Sequence, residues 1–268
     1  MIVRRVPDGR LGSLLERNRR RGAWRRMPDT HDPQPRPVPD RGHASHTPPP
    51  LSPSLAPSLA PSAARATTVI VSWNLLRTIG ASIDDVARLV RAEQPDLLLM
   101  QEATTAIDRL TDRIGGFYAR SPLPGRIHGV ACWSPRPFLA EPRVHKLQPG
   151  AMFRRVCQVI EMDGFSVANV HLSHGQMLNR RQLRRIATFL PQNGAVLGDF
   201  NLVGPALLPG FRDIGPRAPT HRMADMVPIR LDRCLARGLD CVECHVLPNL
   251  TSDHHPIRVG LRLHAPHR

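Results

Sequence analysis

The chain of 268 residues is 41% hydrophobic, enough for one domain of about 200 residues with a sizeable core plus a tail. No apolar run approaches the roughly 20 residues that cross a bilayer, which excludes a transmembrane helix. The formal charge is +15: twelve arginines against five acids leave +7 in residues 1–66 and +8 in residues 67–268, a balance suited to polyanions such as nucleic acid or phospholipid head groups. Because Lys146 is the only lysine and Arg, Ala and Pro are abundant throughout, charge alone moves the reading only slightly. Met1-Ile-Val-Arg-Arg is followed by no apolar segment, and five cysteines are an odd number, so reduced thiols and a cytoplasmic location are expected.

Residues 1–26 contain Arg19-Arg20-Arg21 and Arg25-Arg26, and proline recurs from Pro28 to Pro61. Such a stretch cannot build a core, so residues 1–66 are expected to be a disordered basic and Pro-rich extension, with the folded domain spanning 67–268. Thr67 to Asn74 is β-branched and reads as a strand ending in an asparagine. Ser82 to Glu93 is a predicted helix, with Ser82 as N-cap, Asp85 three residues on, and Ile83, Val86, Leu89 and Val90 on one face. Pro95 stops it, and Asp96 to Glu102 is a continuous apolar run, as in a strand buried on both faces, that ends in a carboxylate. A second helix is expected around Thr105 to Ile114.

Strands are predicted at Gly129–Ser134, Arg155–Met162 and Phe165–His171, the last two joined by a turn at Asp163-Gly164. Gln176 to Leu190 reads as a helix crowded with Arg180, Arg181, Arg184 and Arg185, more simply a solvated face than a phosphate-binding one. Gly194 to Asn201 is a short strand running into Asp199 and Asn201, two residues apart and so on one side. Taken alone, Gly198-Asp199-Phe200-Asn201 reads first as an ordinary Asx turn. A Pro- and Gly-rich loop runs to Pro219, and Ile229–Leu235, Asp240–Leu247 and Ile257–Leu263 close the domain as strands. Cys241-Val-Glu-Cys244-His245 matches a haem-attachment pattern, but it fits a closing strand better, with no export signal and no second Cys pair.

The polar strand ends are the informative feature: Asn74, Glu102, His171, Asp199 with Asn201, and Asp232 followed by Ser252-Asp253-His254. An unpaired carboxylate beside a core is costly, so their recurrence points to convergence on a hydrated cation. Ser72-Trp-Asn74, Gln101-Glu102, Asn169-Val-His171-Leu, Gly198-Asp-Phe-Asn201, Arg230-Leu-Asp232 and Ser252-Asp-His254-His-Pro256 together resemble, in order, the endonuclease/exonuclease/phosphatase superfamily with its deoxyribonuclease-I-like fold. The resemblance implies an α+β fold, a four-layer αββα sandwich of two mostly antiparallel sheets flanked by helices, and metal-dependent phosphoester hydrolysis. It implies that Asn74 and Glu102 hold Mg²⁺ or Mn²⁺ with Asp253 near the same metal, and that Asp232 orients His254. It further implies that Asp199 and Asn201 position water and phosphate, and that His171 donates to a phosphoryl oxygen. The base role is assigned to His254, with Asp199 as the alternative. His128, His145, His174, His221 and His245 have no motif behind them, and Trp73 and Trp133 read as packing. The expected activity is that of a nuclease acting as a monomer. The alternatives are a hydrolase of phosphoinositide or sphingolipid head groups, and an inactive nucleic-acid-binding scaffold.

Overall fold

A computed structural model describes residues 67–264 apart from 151–153, 224–226 and 249, so the expected N-terminal extension lies outside the described residues. The chain runs β1 (Thr68–Asn74), α1 (Ile83–Glu93), β2 (Leu97–Ala103), a 3₁₀ turn (Thr105–Ile107), α2 (Leu110–Ile114), β3 (Phe117–Pro122), β4 (Gly129–Ser134), β5 (Arg143–Lys146), β6 (Val156–Met162), β7 (Phe165–His171) and α3 (Gln176–Ala187). It continues with β8 (Gly194–Asp199), β9 (Arg212–Asp213), β10 (His221–Met223), β11 (Val227–Ile229), β12 (Asp232–Arg237), β13 (Leu239–Val246) and β14 (Ile257–Leu263). One sheet has the order β13-β14-β1-β2-β4-β3, the other β5-β6-β7-β8-β12-β9, and β10-β11 is a separate hairpin. No helix of the described residues is long and apolar enough to cross a membrane.

The period-2 alternation of the central strands explains the layering. In β1 and β2, Ile70, Leu97 and Leu99 meet Val167, Ala195, Leu197 and Cys234 of the opposite sheet in a core between the sheets. Their neighbours Val71, Trp73, Leu98 and Met100 point the other way, onto Val86, Leu89 and Val90 of α1 and Leu110 of α2. On the far side, Ala168, Val170 and Val196 pack outward against Leu183 and Ile186 of α3. Three apolar interfaces make four layers, the αββα sandwich expected from the sequence.

Along the inward rows toward one edge, the side chains turn from apolar to amide. Gln101 donates to Ser72 and to Asn169 (3.1 and 2.8 Å), and Asn169 donates to the Ala131 carbonyl (2.9 Å), so a buried polar seam ties the sheets together. Gln158 extends it, donating to Ser121 and to the Ala119 carbonyl. Because every member is bonded across strands, the seam fixes the relative register of the two sheets.

Several local expectations change. The second predicted helix is a 3₁₀ turn plus five residues of α2, ended by Gly115 and Gly116, both at positive φ. The arginine-rich helix ends at Ala187, three residues early. Ile229 belongs to the small hairpin, so β12 starts at Asp232, and the loop expected to reach Pro219 contains β9. Asp232 therefore opens its strand; β12 runs antiparallel to β8 with Asp232 opposite Asp199, which brings it to the same edge.

The β9–β12 end is braced by Asp213. Arg230 grips both carboxylate oxygens (2.7 and 2.6 Å) and Arg233 adds a bond at 3.1 Å. Burial alone would raise the Asp213 carboxyl, but the Arg230 fork, with Arg233 and Arg217 beside it, holds it below the ordinary 3.8. A carboxyl held low contributes stability that is full above its ordinary value and is lost as pH falls through the lower folded one. Asp213→Ala should cost about 3–5 kcal/mol at pH 7, because it strands buried guanidinium charge. Urea denaturation checks this, and the gap to wild type should close as pH drops below 3.8.

Candidate active site

The edge where the inward rows turn polar is a cavity of about 520 Å³ lined by residues from both sheets, among them Asn74, Glu102, His171, Asp199, Asn201, Asp253 and His254. Asn74 follows Ile70 and Ser72 on the inner face of β1, His171 follows Val167 and Asn169 on β7, and Asp199 follows Ala195 and Leu197 on β8. The alternation that builds the core thus also aims these three side chains at one point. The structure brings into this cavity every predicted site residue except Asp232, which sits one layer behind it, fully buried.

Asp199 is the hub, at 1% exposure. Its Oδ1 accepts from the Asn201 backbone N–H (2.8 Å), so the Asx turn is present; its Oδ2 accepts from Asn74 Nδ2 (3.0 Å). The His171 and His254 Nε2 atoms lie 3.3 and 3.8 Å from that same oxygen. Asn201 is itself held by its side-chain amide on the Leu172 carbonyl (3.0 Å). Turn and site are the same structure: one oxygen closes the loop and the other faces the cavity. Gly198 makes this geometry accessible, with φ at 136° and its Cα so close to the Val170 carbonyl that any Cβ would collide with it.

His254 is clamped on three sides. Asp232 Oδ2 accepts from its Nδ1 (2.8 Å), which leaves Nε2 toward the cavity. Its backbone carbonyl accepts from the Trp73 indole (2.9 Å), and its backbone N–H donates to Ser252 Oγ (3.1 Å). Ser252 Oγ donates in turn to the Asn74 carbonyl (2.7 Å), so the Ser-Asp-His segment is stitched to the end of β1. Trp73, read from the sequence as packing, is also a positioning donor.

The electrostatics separate the titratable groups. Burial disfavours the His254 imidazolium, but the Asp232 and Asp199 carboxylates outweigh it and push this histidine up to about 10. Burial and the Arg155 guanidinium hold His171 well below 6.5 against the pull of Asp199, so it is neutral at pH 7. Burial would raise the Asp199 carboxyl, yet His254, His171, the Asn201 N–H and the Asn74 amide together bring it below its ordinary value. Desolvation raises Asp232 in spite of His254, so the Asp232–His254 pair holds its proton firmly.

Glu102 reaches the cavity by a different route. Strict alternation would place it with Leu98 and Met100 against α1. Instead the β2–β4 register shifts between Met100 and Ala103, and Glu102 takes φ 56°, a left-handed conformation rare for a glutamate. Its Oε2 accepts from the Arg77 N–H and guanidinium (both 3.1 Å), while Oε1 accepts no hydrogen bond among the described residues. Among the described residues Asn74 Oδ1 accepts from the Leu76 N–H alone (3.1 Å) and keeps a lone pair. A carboxylate oxygen and an amide oxygen with capacity to spare fit a hard divalent cation that retains several waters. Among the described residues, the groups of three His and carboxylate side chains whose ligand atoms fall within 4.8 Å of one another are Asp199–Asp232–His254 and His221–Asp253–His254; Glu102 belongs to neither.

Three cavity residues escaped the sequence reading. Arg155, 3% exposed, enters ahead of β6; Arg77 holds Glu102; and His221 packs its ring 4.4 Å from that of His254 and contacts the Asp253 carbonyl. No local pattern marks them, because each reaches the site through a long-range contact. Ser252→Ala should cost about 1–3 kcal/mol in chemical denaturation, since a buried carbonyl and a buried N–H both lose their partner. Ser252→Thr, which keeps the hydroxyl, should recover part of that loss.

The sequence model of the Endonuclease/Exonuclease/phosphatase family matches residues 71–254. Similar solved structures include an endonuclease/exonuclease/phosphatase from Beutenbergia cavernae, at 19% identity over 74% of this chain and 72% of that one, TM-score 0.60. Another, from Bacteroides vulgatus, has 14% identity over 75% of this chain and 100% of that one, TM-score 0.64. Truncated Caenorhabditis elegans TDP2 has 20% identity over 73% and 97%, TM-score 0.59. At these identities the likeness concerns the fold. No curated protein matches the sequence.

Proposed function

Since the chain belongs to the endonuclease/exonuclease/phosphatase family, we propose that it is a divalent-metal-dependent phosphodiesterase acting on nucleic acid. The observation that carries this reading is the convergence on Asp199 Oδ2 of Asn74 from one sheet and of His171 and His254 around it, in a cavity that also admits Glu102. Such a constellation is costly to bury and serves no packing purpose, which argues against an idle scaffold.

Glu102 and Asn74, with Asp253 beside them, would hold Mg²⁺ or Mn²⁺, whose charge offsets that developing on the phosphoryl oxygens. Asp199, ionised at neutral pH, aims the attacking water and accepts its proton. His254, kept protonated by its two carboxylates and fixed in orientation by Asp232, donates through Nε2 to a phosphoryl or leaving oxygen. This reverses the base assignment expected from the sequence, because a histidine raised to about 10 is a poor acceptor at pH 7. Neutral His171 supplies a further donor, Asn201 keeps Asp199 in place, and the Arg155 guanidinium favours an anionic substrate.

The choice of nucleic acid rests on the +15 charge and on exposed Arg181, Arg184 and Arg185 of α3, the helix that follows His171. A second reading, hydrolysis of lipid head groups, is favoured by exposed aliphatic side chains: Val203, which lines the cavity, and Ile79, Met177 and Val227, each within three residues in sequence of a lining residue. Aliphatic tips suit an acyl-rich interface better than they suit stacked bases.

Incubation with bis-p-nitrophenyl phosphate, an oligonucleotide and inositol phosphates, in Mg²⁺ or in EDTA, separates the readings. Diester turnover should vanish in EDTA and fall about 10²–10⁴-fold in Asp199→Ala and in His254→Ala. Phosphate release from inositol phosphates with the oligonucleotide untouched would select the second reading. Diester turnover that survives EDTA would contradict both.

A further inference from the structure

A second cavity, of about 690 Å³, lies beside the first, and its chemistry has no part in the constellation above. The two share a wall. Ile229 and Leu231 line the catalytic cavity while Arg230 between them lines the second; Val203 lines the first and Gly204 the second. The second cavity joins a cationic side, Arg217, Arg230 and Arg233, to an apolar side that includes Leu207 and Phe211.

Its charge is not balanced. Three guanidinium groups surround one carboxylate, Asp213, which is bound bidentately by Arg230 and bonded by Arg233 at 3.1 Å; Arg217 donates to the Asp213 backbone carbonyl at 2.9 Å and approaches the carboxylate at 3.6 Å. Arg233 is 4% exposed, and although its Nη2 donates to the Leu202 and Gly204 carbonyls, its Nε–H is buried without an acceptor among the described residues. Burial and neighbouring Arg230 push the Arg233 guanidinium below its ordinary value, as expected where positive charge exceeds the negative charge beside it. Bracing the loop after β8 requires the Arg233–carbonyl bonds and the Arg230 fork. Arg217, 74% exposed at the rim, adds a third positive charge beside the same single carboxylate, so the cavity keeps surplus positive charge.

We propose that this cavity is a subsite for a flanking nucleotide of an oligonucleotide substrate, its phosphate held by the arginine side and its sugar and base lying on Leu207 and Phe211. The assignment rests on the phosphodiesterase reading of the neighbouring cavity and deepens it. A strand whose scissile phosphate sits beside Asp199 and His254 crosses the Val203–Gly204 lip and places a neighbouring unit here. The substrate is then a polymer carrying at least two phosphates, and recognition is of backbone charge without base readout.

Two variants probe the rim without touching the catalytic groups: Arg217→Glu, and Leu207→Glu at an apolar position 61% exposed. With the full chain in EDTA, binding of a fluorescein-labelled oligothymidylate should weaken about tenfold in each. In Arg217→Glu the slope of log affinity against log salt should also fall by about 0.7, the loss of one single-strand phosphate contact. Mg²⁺-dependent turnover of bis-p-nitrophenyl phosphate, which has no flanking phosphate, should be unchanged. Oligomer binding within twofold of wild type in both variants overturns the subsite, as does a wild-type chain that fails to bind the oligomer. So does a loss confined to phosphatidylserine vesicles, which would assign the cavity to a lipid surface. Absent turnover with weakened oligomer binding would remove the phosphodiesterase reading and leave the binding site; intact turnover with unaltered binding would do the reverse.

Discussion

The hydrogen bond from Asn74 to Asp199 joins the last inward-facing residue of β1 to the last inward-facing residue of β8, across the gap between the two sheets. A carboxylate at 1% exposure is tolerated only if donors surround it, and this one draws them from both sheets and from the segment before β14. Closure of the sandwich at this edge and placement of the reactive groups are therefore a single constraint. Loosening either sheet leaves Asp199 short of a donor, and removing Asp199 leaves two histidines and an amide facing an empty position.

Behind that bond lies a gradient. Two central strands, β1 and β7, present to the interior an apolar residue, then a neutral polar one, then one that lines the cavity: Ile70, Ser72, Asn74 and Val167, Asn169, His171. The amide seam in the middle contributes specificity of register more than raw stability, since slipping a strand by one residue would turn its seam member onto a helix-covered face. In front of it, the rim carries strain. Leu76, Thr78, Glu102 and Asn201 all have positive φ without being glycine. Most are pinned by bonds into the site: Leu76 N–H to Asn74, Asn201 N–H to Asp199, and Glu102 by the Arg77 clamp. Strain of this kind persists only where surrounding contacts over-determine it, as they do here.

Much of this was legible in the residues. Helix α1 begins at Ser82 with the capping box read from Ser82 and Asp85, because N-capping is local chemistry. Asn74, His171 and Asp199 stood out because a polar residue ending an apolar strand pattern is local information; that they meet came only from the ordered motifs' resemblance to the family. Edge strands β3 and β5 were not: Phe117–Pro122 and Arg143–Lys146 are half-exposed or exposed over most of their length and show no apolar alternation. Cys241 and Cys244, three apart, both pack toward the core between the sheets only because the β13–β14 register shifts between Cys241 and Glu243, which spacing alone does not reveal. Arg155, Arg77 and His221 were invisible for the opposite reason, since their roles depend on residues distant in sequence: His171 and Asp199 for Arg155, Glu102 for Arg77, and Asp253 with His254 for His221. The protonation of His254 likewise depends on Asp199 and Asp232 arriving from two different strands.

The central claim is that Glu102 and Asn74, polar strand ends of one sheet, hold a divalent cation beside the Asp199 carboxylate of the other, and its most direct test is an anomalous-scattering map of crystals soaked in Mn²⁺. The account predicts a peak about 2.0–2.2 Å from a Glu102 carboxylate oxygen and in contact with Asn74, with the remaining positions filled by water. It predicts loss of that peak in Glu102→Gln, with the Asn74–Asp199 bond still in place. A saturating soak that leaves the cavity without a peak, or that puts manganese at Cys241 and Cys244, would contradict it.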